Sequence, residues 1–239
     1  MCTARTAVTT TVMTTSTDAS LLHLLWLASP ALPVGGFSYS EGLEAAVDAG
    51  IVHDETSAGD WLLNQLELVQ ARAELPVAAA AHRATLALDG PRLAELNAWT
   101  LQTRETSESL QQVQQMGRSL LVWMQGLIPG AAVLPLLQAL RPAPTWPVVM
   151  GAVAASRGAA RQPALQAIAF GWAENLMQAA VRSVPLGQTA GQRLLARLVH
   201  AIPPAVETAL AASEPLAFAP LLGILGARHE TQYSRLFRS

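Results

Sequence analysis

Prolines and glycines punctuate this chain at the ends of segments made largely of Ala and Leu, and that alternation leaves room for little besides helices. Ile, Tyr and Phe are scarce, so residues that suit a pleated strand are too thin to build a sheet. No alternating apolar pattern runs for more than a few residues, and no internal repeat is visible. The expected fold is all-α, a single-domain bundle of roughly ten helices. A chain of 239 residues is long enough to bury a substantial core.

The punctuation also sets the expected boundaries. Residues 1–18 are Thr-rich and read as a disordered leader. A short helix is predicted over 20–28, ended by Pro30 and Pro33. Ser38 and Glu41 have capping-box spacing, which predicts a helix over 39–50. The next covers 57–72, with Leu62, Leu66 and Val69 on one face, and is followed by 76–88 and 91–103. Asp89-Gly90-Pro91 both breaks the chain and caps the helix after it. Residues 106–126 form a longer amphipathic helix whose buried stripe is Val113, Met116, Leu120 and Trp123. A short apolar helix covers 131–140. The Pro-rich stretch 141–147 then separates two helical layers rather than two domains. Helices follow over 148–156, 163–183, 190–202, 204–212 and 220–227. The helical body is thus 19–228, and 229–239 is a tail.

Composition removes several function classes. A net charge of −2 argues against nucleic acid, whose binders need a basic face. There is no lysine, which excludes a Walker A phosphate loop and Schiff-base chemistry. The single cysteine, Cys2, permits no disulfide framework and no CxxC, as suits a reducing compartment. The five histidines are scattered without ligand spacing, so no intrinsic metal site or cofactor is expected. The longest uncharged apolar run, 215–227, is too short to span a membrane and contains Pro215 and Pro220. Residues 21–31 superficially resemble a signal h-region, but His23 and the weakly charged Thr-rich stretch before it argue against one.

Against this charge-poor background, residues 229–239 gather Tyr233, Arg235, Leu236, Phe237 and Arg238, the residue types that dominate interfaces. The chain's other tyrosine, Tyr39, lies in the one comparable cluster, Gly35-Gly36-Phe37-Ser38-Tyr39-Ser40-Glu41-Gly42-Leu43-Glu44. That cluster reads either as a loop-to-helix junction or as an exposed aromatic loop that binds a partner. In 185–193, Gly187 can end one helix and Thr189 can cap the next. Glu105 and Glu108 lie in a first helical turn, where negative charge favours the dipole, and read as solvated. Glu174-Asn175 interrupts an apolar helix and implies a polar contact across helices. Most of the six tryptophans are expected in the core. No Ser-His-Asp or Cys-His signature is present, so no catalytic residue is assigned; the alternative is a helical enzyme using Glu105, Glu174 or a histidine as acid or base.

Taken together, 27–40, 185–195 and 229–239, with Arg104-Glu105-Thr106, resemble the urease accessory proteins of the UreF family, in the same order along the chain. Glu41 departs from the family pattern, which often has Gln or an apolar residue there. The resemblance implies a non-enzymatic, all-helical, dimer-forming helper in nickel insertion. Such a protein acts in the cytoplasm, bridges UreD or UreH to the GTPase UreG, influences GTP hydrolysis and docks on apo-urease. It also implies that Phe37, Tyr39, Glu41, Tyr233, Arg235, Leu236, Phe237 and Arg238 contact partners, and that the tail becomes ordered when a partner binds.

Overall fold

In the computed structural model, which describes residues 17–239, the chain is all-α, and no strand occurs among the described residues. The expected leader lies outside the described residues except for Thr17 and Asp18, which begin α1 (Thr17–Ala28). A single 3₁₀ turn, Gly36–Ser38, precedes α2 (Leu43–Asp48). Then α3 (Glu55–Gln65), a π-helical stretch (Leu66–Glu74) and α4 (Leu75–Ala87) run on without a break. They are followed by α5 (Gly90–Gln102), α6 (Ser107–Leu127), α7 (Leu134–Ala139) and α8 (Trp146–Ser156). The last three are α9 (Arg161–Ser183), α10 (Gln188–Ala211) and α11 (Pro220–Glu230).

The centre is the crossing of α4 and α8. Both are apolar on nearly every face, as a helix enclosed by others must be. Gly151 lets them approach, because a Cβ there would lie 2.2 Å from the Ala78 carbonyl oxygen. Gly117 of α6 gives the same access to the 144–145 backbone, with Pro144 O at 2.3 Å. The Pro-rich stretch is packed against the core: Ala143, Pro144 and Thr145 are buried. Asn97, 1 % exposed, holds it by donating to Ala143 O (2.9 Å) and accepting from Thr145 N (2.8 Å). One hydrophobic core joins the helices before and after this stretch.

Several boundaries differ from those expected. The helix predicted from Tyr39 starts at Leu43, because Glu41 and Gly42 both take positive φ (51° and 78°) and turn the chain first. Ser40, rather than Ser38, then accepts from the Glu44 amide. The helices expected to part before Pro76 are continuous. The Leu75 N–H reaches back five residues to Gln70 O, and Pro76, with no N–H to place, sits in the first turn of α4. Those expected to part at Pro203-Pro204 are one helix, α10. Its buried stripe of Leu194, Leu198, Ile202, Val206 and Ala209 spans the prolines and outweighs the missing bonds. By length and composition alone α10 could cross a membrane; here that stripe packs on α9, α3 and the π-helical stretch. Gly187, not Thr189, stands at the N-terminal cap of α10.

Trp123 leaves the predicted stripe of α6. Met124 takes its place in the core, and Trp123 meets Trp26 edge-on at 5.1 Å between centroids. Of the six tryptophans, only Trp61 is fully buried; the others sit at the margin, where a large ring can pack on one side and face water on the other.

Candidate functional site

The loop around Tyr39 and the tail after α11, far apart in sequence, lie side by side. The Arg238 N–H donates to Ser38 O (2.8 Å), and the Ser40 N–H donates to the Ser239 main-chain oxygen (2.7 Å). The Ser40 hydroxyl donates to that same oxygen at 2.6 Å, and the Ser239 hydroxyl donates to Gln112 Oε1 at 2.9 Å. The two clusters singled out in the sequence therefore form one site.

Three helices converge on the tail. Glu44, the second residue of α2, accepts from the Leu236 N–H through Oε1 (2.7 Å) and from the Phe237 N–H through Oε2 (3.0 Å). Its Oε2 also lies 3.2 Å from His229 Nε2, and His229 Nδ1 lies 2.6 Å from Glu108 Oε2 of α6. His229 is wholly buried between these two carboxyl groups, with one ring nitrogen facing each. Glu108 is completed by the Arg235 guanidinium. It is largely buried, contrary to the solvated role expected of it. Glu230 accepts from the Ser107 N–H (2.7 Å) and hydroxyl (2.6 Å), capping α6 from α11, and those bonds hold its carboxyl below the usual range.

The sequence-predicted residues divide by orientation. Tyr233 is fully exposed, and Leu236 and Phe37 are 71 % and 62 % exposed. Arg235 and Arg238 are also on the surface. Phe237 turns inward, 5 % exposed, with the Arg182 guanidinium 5.4 Å from its ring centre. Tyr39 is buried and donates to Gln115 Oε1 (2.9 Å). Burial pushes its phenol up, and Arg238 opposes the shift. The tail, expected to await a partner, is packed against the body in this structure.

Behind the site opens a cavity of about 380 Å³ with apolar walls that include Leu27, Met150, Ile168 and Leu222. Glu41 faces it with both oxygens engaged, Oε1 by Gln112 Nε2 (2.9 Å) and Oε2 by Trp172 Nε1 (2.8 Å). Burial pushes the Glu41 carboxyl up; the two donors oppose this, and the nearby Glu74 adds to it. Glu74 is paired with Arg104 at 2.6 Å. Asn175 makes the contact across helices implied by its place in α9, donating to Gly36 O at 2.9 Å. Glu105 is exposed and lies over Gly223, where a Cβ would meet its Oε2 at 1.8 Å. Among the described residues no group of three or more His, Cys, Asp or Glu could hold a metal ion.

A family model described as UreF matches residues 52–199. Over 225 residues the chain is 57 % identical to the urease accessory protein UreF of Methylibium petroleiphilum, covering 92 % of this chain and 94 % of that one. The chain belongs to the UreF family. The UreF of Cupriavidus metallidurans is 46 % identical over 226 residues, covering 92 % of this chain and 97 % of its own length. A bifunctional urease accessory protein UreEF of Bordetella bronchiseptica is 47 % identical over 241 residues, 98 % of this chain but 55 % of the relative.

This UreF-family chain is thus a urease accessory protein, a maturation factor rather than an enzyme, and the reading of Glu105, Glu174 or a histidine as an acid-base catalyst falls with that assignment. The third sequence block, 185–195, forms the end of the α9–α10 turn and the first two turns of α10. There Gly191 lets the two helices close, since a Cβ would lie 2.7 Å from Val181 Cγ2. Sequence reasoning placed Glu44 at the end of the Tyr39 cluster without giving it a role, and missed Gln112, Gln115 and Arg182. The available signal was rarity: Glu44 stands alone in the apolar run Leu43-Glu44-Ala45-Ala46-Val47, where a carboxylate needs a partner.

Proposed function

We propose that this chain is the scaffold of a urease maturation complex, bridging a UreD- or UreH-type protein to the nickel-carrying GTPase UreG and supporting GTP-dependent nickel insertion into apo-urease. The observation that carries this reading is the tail. It displays Tyr233 and Leu236 to solvent beside Arg235 and Arg238, an aromatic and aliphatic pair flanked by oriented donors. Phe37 adds a further exposed ring from the adjoining loop. Surface rings of this kind cost contact with water when free and release it when covered. The family assignment supports the choice of partners, and the bifunctional UreEF relative supports a role among other accessory factors. Homodimer formation and a cytoplasmic location belong to the same proposal, the latter in keeping with a lone cysteine.

The test is co-purification of the full chain and of a chain lacking Tyr233–Ser239 with the UreD/UreH and UreG proteins, in the presence of GTP. Loss of the complex with helical circular dichroism preserved is expected. A truncated chain that still assembles fully would overturn the tail-docking reading.

A further inference from the structure

We propose that the cavity behind the Tyr39 loop is a binding site for a small neutral molecule, an aliphatic carboxamide or a close analogue, and that Gln70 recognises its polar head. The inference goes beyond the scaffold reading and does not depend on what the tail binds.

Gln70 lines the cavity and is 5 % exposed, and among the described residues its side-chain amide has no hydrogen-bond partner. A buried amide in that state forgoes the bonds it makes in water, so it calls for an explanation. It belongs to the π-helical stretch Leu66–Glu74, which also brings Val69, Ala73 and Glu74 to the cavity wall. π-winding is rare, and it recurs at functional sites. Here the stretch with the irregular winding is the one that carries the unpartnered amide to the cavity.

The other walls set the rest of the ligand. Leu27, Met150, Ile168 and Leu222 are apolar, and the volume of about 380 Å³ lies within the roughly 300–1,000 Å³ of small-molecule pockets. Water bonded to Gln70 would wet those walls, and a purely apolar molecule would leave the amide unsatisfied. An apolar body with a head that both donates and accepts meets both demands. A carboxamide head pairs reciprocally with Gln70: its N–H donates to Gln70 Oε1, and its carbonyl accepts from Gln70 Nε2.

Charge selects a neutral head. Glu41, Glu74, Glu105, Glu108 and Glu174 line the cavity against Arg104 and Arg182, which disfavours an anion. A cation gains little in exchange for its lost hydration. Glu74 is paired with Arg104, Glu108 with Arg235, and burial holds Glu41 towards its neutral form. Glu105 and Glu174 reach solvent.

The test is titration of the full chain at neutral pH with hexanamide, hexanoate, hexylammonium and N,N-dimethylhexanamide. Saturation-transfer NMR reads binding, and tryptophan fluorescence reports from Trp146 and Trp172 in the cavity wall. Hexanamide should bind saturably and at least about 10-fold tighter than each of the other three, which lack its charge state or its N–H donors. Gln70→Leu should weaken hexanamide at least about 10-fold. It should also raise the urea midpoint of the free chain, because it removes an unpaired buried amide; a purely structural role for Gln70 would lower that midpoint. Absence of saturable hexanamide binding overturns the proposal. So does equal affinity for hexanamide and its charged or dimethylated analogues, or unchanged binding in Gln70→Leu. If Gln70→Leu does not fold, the four-probe comparison on the wild type decides alone. None of these outcomes bears on partner capture, so the scaffold reading stands or falls separately.

Discussion

The Trp172 indole N–H donates to Glu41 Oε2 at 2.8 Å, fixing a carboxyl group whose backbone sits at a φ of 51°, a conformation that L side chains seldom adopt. Together with Gln112 it ties the loop before α2 to both α6 and α9. A left-handed residue persists only where its surroundings over-determine it, and here two donors do so.

Glu41 predicts a pH effect of definite sign. Its folded pKa is raised from 4.5, chiefly by burial, so the folded state favours the protonated carboxyl. The stability it contributes is full below the unfolded value and is lost as pH rises through the raised folded value. Glu41→Gln cannot ionise, and the Gln112 amide can flip to present its oxygen to the new NH₂. Urea unfolding at several pH values should show the variant gaining on the wild type as pH rises from 4.5 towards 8. Parallel profiles would show that Glu41 does not titrate differently on folding.

Two glycines should respond in opposite directions to alanine. Gly151→Ala places a methyl against Ala78 O at the α4–α8 crossing and should cost about 3 kcal/mol. Gly126→Ala, in α6 with nothing within 4 Å of the new methyl, should gain about 0.5–1 kcal/mol from helix propensity alone. Denaturant melts of the two variants measure both; a small effect at Gly151 would mean that the crossing can open.

Asn97→Ala should cost about 2–4 kcal/mol, because it strands Ala143 O and Thr145 N in the core. The expected sign is a lower thermal midpoint with helix content unchanged in the remaining folded population. An unshifted midpoint would show that water replaces the side chain without loss.

The tail side chains should separate stability from assembly. Tyr233→Ala and Leu236→Ala remove exposed groups and should change stability by less than about 0.5 kcal/mol while weakening partner capture. Phe237→Ala removes a buried ring from beneath Arg182 and should loosen the tail itself, at a cost of about 3 kcal/mol. Equal capture by all three variants would place the docking surface elsewhere.

Much of the fold was legible where local chemistry decides it. α6 follows from its apolar stripe, and α5 from Asp89, whose carboxylate accepts from the Arg92 amide. The boundaries that moved are those where tertiary packing overrides local preference, as at Pro203-Pro204 and at Glu41. The two clusters of the site were visible because aromatic and cationic residues are rare in this chain. Their joining was not. The Glu44–His229 contact spans 185 positions, and neither residue stands in a local pattern that names the other.

The π-helical stretch Leu66–Glu74 makes chain length itself a structural parameter. A π turn accommodates more residues than an α turn, so α4 leaves this stretch rotated relative to the course an unbroken α3 would take. Deleting one residue within 66–74 would let regular helix re-form, and locally that is an improvement. It would also remove the winding and length that the π turns supply, so everything beyond would be turned and shifted along the axis. Glu74 would then point away from Arg104, and the Ala78 face of α4 would no longer meet Gly151. Homologues of this chain should therefore tolerate substitution in the stretch far better than a change in its length.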